Sequence, residues 1–265
     1  LIMLMVVFTF SHMDRNIVAI LLNSITQDLK LSDTQAGLMA GFAFAIFYAT
    51  LGLPIARVAD RTNRMNIITI ALALWSAMTA LCGLAQNFWQ LLLARMGVGV
   101  GEAGCVPPAQ SIIADYVPKE KRSFAMSVFA LGVPLGTLLG FVIGGIVSEL
   151  HGWRVALMVV GLPGVLLAVI VKLTIKEPPR GHADGLVDEE GAAPHMKEVA
   201  RFLWTRKTLK HATAGAALIT FGGYGAQTWI PAFFERSHGL SELQVGLWLA
   251  PVMVAGGMGG ALLSG

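Results

Sequence analysis

Four ionisable side chains stand where a sequence this apolar should hold none. Asp14 and Arg15 lie in the first apolar run, and Arg95 and Glu102 lie in the fourth. A charge inside a bilayer costs several kcal/mol, roughly, so residues of this type there bind ions or substrates or pair with one that does. Neighbouring residues on a helix point about 100° apart, so Asp14 and Arg15 must serve different partners. Arg95 and Glu102 are seven apart and share one helix face, with roughly 10 Å between them along the axis. A direct bridge between them is not expected, but both can line one cavity. The two arginines keep their charge, whereas Asp14 and Glu102 can gain or lose a proton. That makes the two carboxylates proton-coupling candidates and the two arginines candidate substrate-binding groups or counter-ions. Structural ion pairing between the two spans is the plainer alternative. His12, two residues before Asp14, reads as locally hydrogen-bonded. In a later run Tyr224 and Gln227 follow a Gly-Gly pair, a pattern suited to lining a cavity from a loosened helix.

Helices that cross a membrane must hold these groups. Of 265 residues, 55% are hydrophobic and 13% are charged, with a net charge of +3. Soluble proteins average about 25% charged. Mean hydropathy is +0.68. A span needs about 20 apolar residues, and the chain offers eight: 1–23, 35–56, 66–86, 89–111, 123–148, 153–175, 208–234 and 241–265. Their length and lack of period-two alternation argue against a barrel. The chain starts in one apolar run and stops in another, so the sequence reads as part of something longer.

Basic residues orient the spans. Fourteen of the 19 Lys and Arg flank the connections between spans 2–3, 4–5 and 6–7, while only Lys30, Arg154 and Arg236 lie on the other side. Basic residues favour the cytoplasm, which places the N-terminus there as well. The expected layout is therefore a six-helix bundle (1–175), a linker (176–207) and the start of a second, incomplete bundle (208–265). The linker opens polar, acidic and rich in Pro and Gly, then becomes amphipathic. Val199, Phe202 and Leu203 share one face, with Lys197, Arg201, Arg206 and Lys207 around it, a pattern for the membrane surface.

Gly132, Gly136, Gly140 and Gly144 form a four-residue repeat that lets another helix come close. Pro134 should loosen that helix, and Pro107 and Pro108 the latter half of span 4. Gly99, Gly101 and Gly104 match a dinucleotide-loop pattern, but without a strand–turn–helix context the match is a decoy. No nucleotide-binding loop, nucleophile–base set or metal-ligand set is visible, so the expectation is binding and movement without catalysis, metal or cofactor. Cys82 and Cys105 sit in apolar runs and suggest no disulfide. A nucleic-acid partner would need a basic face, and none is present.

Certain segments resemble a known family. Ala56-Arg-Val-Ala-Asp60-Arg61-Thr-Asn-Arg64 is similar to the signature loop of the major facilitator superfamily. Ala56 and Asn63 replace glycines, and Met65 replaces the last basic residue. The resemblance implies a cytoplasmic gate of Asp60, Arg61 and Arg64, with Asp115 as a partner for Arg64. HMDRNIVA in span 1, with ARMGVGVGEAG and SIIADYVPKEKRS around span 4, resembles the spinster-like branch, which includes sphingolipid and lysolipid transporters. That implies an all-α major facilitator fold, alternating access, a lipid-like amphiphilic substrate, protons as coupling ions and a multi-pass monomer in a plasma or bacterial inner membrane. The anion:cation symporter branch has a similar span 1 and span 4, which keeps a small organic anion as an alternative substrate. Val133, between Gly132 and Pro134, departs from the superfamily's antiporter pattern. A non-transporting receptor or scaffold is the rival from another class. It predicts that the four buried charges merely neutralise one another.

Overall fold

The structure, a computed structural model, describes residues 1–181, 183 and 196–264. The described residues fold into helices α1 (Ile2–Ile20), α2 (Leu22–Asp28), α3 (Asp33–Gly37), α4 (Ala43–Arg61), α5 (Arg64–Cys82), α6 (Phe88–Glu102), α7 (Val106–Tyr116), α8 (Lys119–Ala130), α9 (Gly132–His151), α10 (Trp153–Thr174), α11 (Met196–Thr205), α12 (Lys207–His238) and α13 (Glu242–Ser264). A π-helical turn, Leu38–Phe42, joins α3 to α4. Five stretches are long and apolar enough to cross a membrane: Ile2–Ile20, Asp33–Arg61, Arg64–Cys82, Lys119–His151 and Trp153–Thr174. Each falls on an expected span. The chain is an integral membrane protein with an all-α fold.

The remaining expected spans are the α6–α7 pair, α12 and α13. Span 4 breaks just before its prolines, which lack the N–H that a continuous helix would use there. Gly104 and Cys105 bond back only three residues, to Gly101 and Glu102. Pro107 then falls in the first turn of α7, where its missing N–H leaves no gap. Pro134 likewise falls in the first turn of α9, just after the break at Leu131. Short polar turns start the next helices: Asn63 caps α5 through the Asn66 amide, and Asn87 caps α6 through the Gln90 amide.

Helix α9 is the central post, packed on α1, α10 and α13, while α5 lies between α6 and α10. The glycine repeat explains the α1–α9 contact. A Cβ on Gly136 would come within 2.5 Å of the Thr9 carbonyl, so only hydrogen lets the backbones touch there. Gly161 of α10 does the same against Ala80 of α5, at 2.5 Å from its nitrogen. Around these seams lie fully buried Ile17, Leu72, Trp75 and Phe141. The Gly99–Gly104 pattern is packing as well: Gly99 meets the Phe44 carbonyl, and Gly101 meets Trp75.

The two ends of the molecule differ. At the end opposite the basic connections, α12 and α13 close against α1, α2 and α9. Toward the basic end, Leu218, Ile219 and Phe221 of α12 are left exposed by the described residues. In α11, Phe202, Leu203 and Trp204 are exposed as an apolar surface. The acidic part of the expected linker, 184–195, and the side chains of Lys197 and Val199 lie outside the described residues.

Candidate functional site

The four intramembrane charges meet where α1 faces α5 and α6. Glu102 is fully buried, and one of its oxygens, Oε2, accepts from Arg15 Nε at 2.5 Å and from Ser11 Oγ at 2.7 Å. Asp14, also fully buried, turns the other way and accepts from Thr79 Oγ1 of α5 at 3.1 Å. Asp14 and Arg15 thus serve different neighbours, as the helical angle requires. Arg15 rests over the rings of Phe44 and Tyr48 at 4.8 and 4.7 Å, and Arg95 lies 5.6 Å from Phe44. The α4 aromatics therefore present their electron-rich faces to the guanidinium groups.

The network is incomplete. Asp14 Oδ1, Glu102 Oε1, and Arg95 Nε and Nη1 are buried without hydrogen-bond partners. Arg95 is 1% exposed. Buried polar atoms are nearly always satisfied, and an unsatisfied one costs about 1–3 kcal/mol, more when charged. A cation with two free donors beside two free carboxylate oxygens is a place for something polar: a proton, water or an anionic headgroup. His12 keeps its local bond, with Nδ1 3.2 Å from the Phe8 carbonyl, and takes no part in this set.

Helix α12 completes the site from the other side. Arg15 Nη1 reaches the Tyr224 hydroxyl at 3.4 Å, and Gln227 Nε2 donates to Asn16 Oδ1 at 2.5 Å. Asn16 is anchored in turn on the His12 carbonyl and on Thr137 of α9. The structure therefore gathers all six of Asp14, Arg15, Arg95, Glu102, Tyr224 and Gln227 around the Ser11–Asn16 turns of α1, on more than one of its faces. Ser11, Asn16, Phe44, Tyr48 and Thr79 belong beside them. Their types are ordinary in membrane helices, and only their positions single them out.

A second cluster forms at the basic end. Arg64, 1% exposed, donates to Asp115 (2.5 Å), Ser111 (2.8 Å), Glu177 (2.8 Å) and the Pro178 carbonyl (3.3 Å). Arg180 donates to the Ala59 and Thr62 carbonyls, satisfying the end of α4. The Gly181 amide donates to Asp115 at 2.9 Å. Asp115 is thus the partner of Arg64, whereas Asp60 and Arg61 are exposed at the end of α4. Glu177 and Arg180 were hidden in a stretch that reads as linker, since Pro-Pro-Arg-Gly carries no helical period.

A family model of the major facilitator superfamily matches residues 4–265. The chain belongs to the major facilitator superfamily. Within that superfamily it is spinster-like. It is 34% identical to an MFS-type efflux pump of Mycolicibacterium smegmatis, over 99% of this chain and 60% of the relative. It is 30% identical to the sphingosine-1-phosphate transporter SPNS2 of Danio rerio, covering 86% of this chain and 46% of that protein. Identity to human protein spinster homolog 1 is 31%, with 86% and 44% covered. The chain thus spans about half the length of these curated relatives. Among solved structures, a bacterial homologue of the human lysosomal transporter spinster, inward-facing and unoccupied, superposes with a TM-score of 0.84 at 36% identity. That match covers 97% of this chain and 60% of the other.

Proposed function

We propose that the full-length protein is a secondary transporter in which two helical bundles move alternately around the Asp14–Arg15–Arg95–Glu102 site. The observation that carries this reading is the set of unsatisfied buried atoms on Asp14, Arg95 and Glu102. The substrate is a lipid-like amphiphile. Its anionic headgroup engages Arg95 and the free side of Arg15, with Phe44, Tyr48, Tyr224 and Gln227 around it. Asp14 and Glu102 carry the coupled protons. A headgroup arriving at Arg15 competes with Glu102 for the guanidinium, and the released carboxylate then takes a proton. The basic connections face the cytoplasm of a plasma or bacterial inner membrane, with the N-terminus on the same side. The cluster of Arg64, Asp115 and Glu177 belongs to the cytoplasmic gate. The similarity to SPNS2, a sphingosine-1-phosphate transporter, supports an anionic amphiphile.

The test is the full-length protein in liposomes, with lumenal pH followed as a lysolipid or sphingoid phosphate is added. Proton movement that depends on substrate, and is lost in D14N or E102Q, is the expected result. Substrate movement without protons would reassign both carboxylates to structure. A response to a small organic acid but not to lipids would replace the substrate class.

A further inference from the structure

The closed end of the molecule holds a second set of carboxylates, far along α12 from Tyr224 and Gln227. Arg236 of α12 donates to Asn23 at 3.0 Å and to Asp33 at 2.8 Å. Glu242, in the first turn of α13, accepts from Ser24 and Ser148. Glu149 of α9 accepts from Ser241 at 2.8 Å and from the Leu243 amide at 3.3 Å. Every one of these contacts joins α12, α13 or the turn between them to the first six spans. Packing is equally tight: a Cβ on Gly145 would meet the Glu242 carbonyl at 2.7 Å, and one on Gly246 the Phe141 carbonyl at 2.5 Å. At the other end of α12, Gly215, Gly222 and Gly223 face open space.

The three glutamates of this closure are not equivalent. Burial and Glu149 work against ionisation of Glu242, but two hydroxyl donors and the N-terminus of α13 work for it. Glu149 has a hydroxyl and an amide from the same helix start. Glu235 has Asn23 on one side, but its Oε1 is buried with no partner. The charges that face it are Glu242 from α13 and Arg236 from its own helix. Arg236 is already engaged by Asn23 and Asp33, and Glu149 lies behind Glu242. His238 packs edge-on against Phe233 and at a tilt against Phe234 at the end of α12. A carboxyl group that faces another carboxylate and has one buried oxygen without a donor is most stable when protonated. Opening the closure would bring water to Glu235 and let it ionise.

We infer that Glu235 is a proton-binding site built into the closure between the two bundles, and that its proton holds this face shut. The closed state binds the proton more tightly than the open one. A fall in pH on this side therefore favours closure, and a rise favours opening. This site is separate from Asp14 and Glu102. It rests on the two-bundle movement proposed above.

The experiment uses the full-length protein in lipid nanodiscs with spin labels at Gln27 and Ser237, exposed residues on either side of the closure. Both native cysteines are buried. The label distance should shorten as pH falls, and E235Q should stay short at every pH. E242Q removes the repelling charge and should move the midpoint to lower pH. Infrared spectra at neutral pH should show a protonated carboxyl band that is missing from E235Q and retained in D14N and E102Q. A wild-type pH response in E235Q, an unmoved midpoint in E242Q, or no band lost in E235Q would overturn the assignment. A distance that responds to added lysophosphatidic acid but not to pH would overturn Glu235 alone. A distance that responds to neither would remove the two-bundle movement with it.

Discussion

Replacing Gly136 with alanine tests the seam on which the site depends. The added Cβ would lie 2.5 Å from the Thr9 carbonyl, 2.5 Å from His12 Cβ and 2.9 Å from the Met13 nitrogen. Ordinary contact begins near 3.4 Å, so α1 and α9 would have to part by close to 1 Å. Two of the three obstructing atoms are backbone and cannot rotate away. Overpacking of this kind costs about 1–3 kcal/mol. Better helix propensity returns at most about 1 kcal/mol. The net loss should be about 1–2 kcal/mol, roughly a tenfold change in the folded-to-unfolded ratio at the centre of that range. Gly222→Ala in this same chain is the control, because none of the described residues lies within 4 Å of its Cβ. Thermal melting of the purified protein in detergent should show G136A below wild type and G222A at or above it. G136A should also slow transport, since Met13 and His12 adjoin Asp14 and Arg15. If G136A melts with wild type, the close α1–α9 approach is not what the glycine provides.

Two further outcomes follow from the ion pairs. R64K keeps the charge at Arg64 but cannot hold Asp115, Ser111, Glu177 and the Pro178 carbonyl together. Each charged hydrogen bond lost is worth about 1.5–3 kcal/mol, so melting should fall by at least one such step. D33N, by contrast, removes a pair whose side chains are 36% and 66% exposed. A change within about 1 kcal/mol, shrinking with added salt, is expected in denaturation measurements.

The membrane-spanning helices were legible in the sequence because a bilayer enforces a plain rule: about 20 apolar residues for each crossing. The breaks inside them were legible only where proline announced them, at Pro107 and Pro134. The π-helical turn at Leu38–Phe42 carries no comparable signal, since its residues suit an ordinary helix. The hold of Glu177 and Arg180 on the first bundle left no such mark in the sequence. Those two contacts depend on where Arg64 and the end of α4 lie.

Residue type alone marked Asp14, Arg15, Arg95 and Glu102, because charge in an apolar run is expensive wherever the helix points. The helical angle also required Asp14 and Arg15 to part company. The partners were beyond its reach. Arg15 takes Glu102, 87 residues on, and Asp14 takes Thr79, 65 residues on. Only the packing of α1 on α9, and of α5 on α6, sets those distances. The same holds for which atoms remain unsatisfied. The sequence determines which charges the apolar runs carry into the bilayer. The tertiary structure decides which of them are paired, because a hydrogen bond needs two groups within about 3 Å and helix packing alone brings them there.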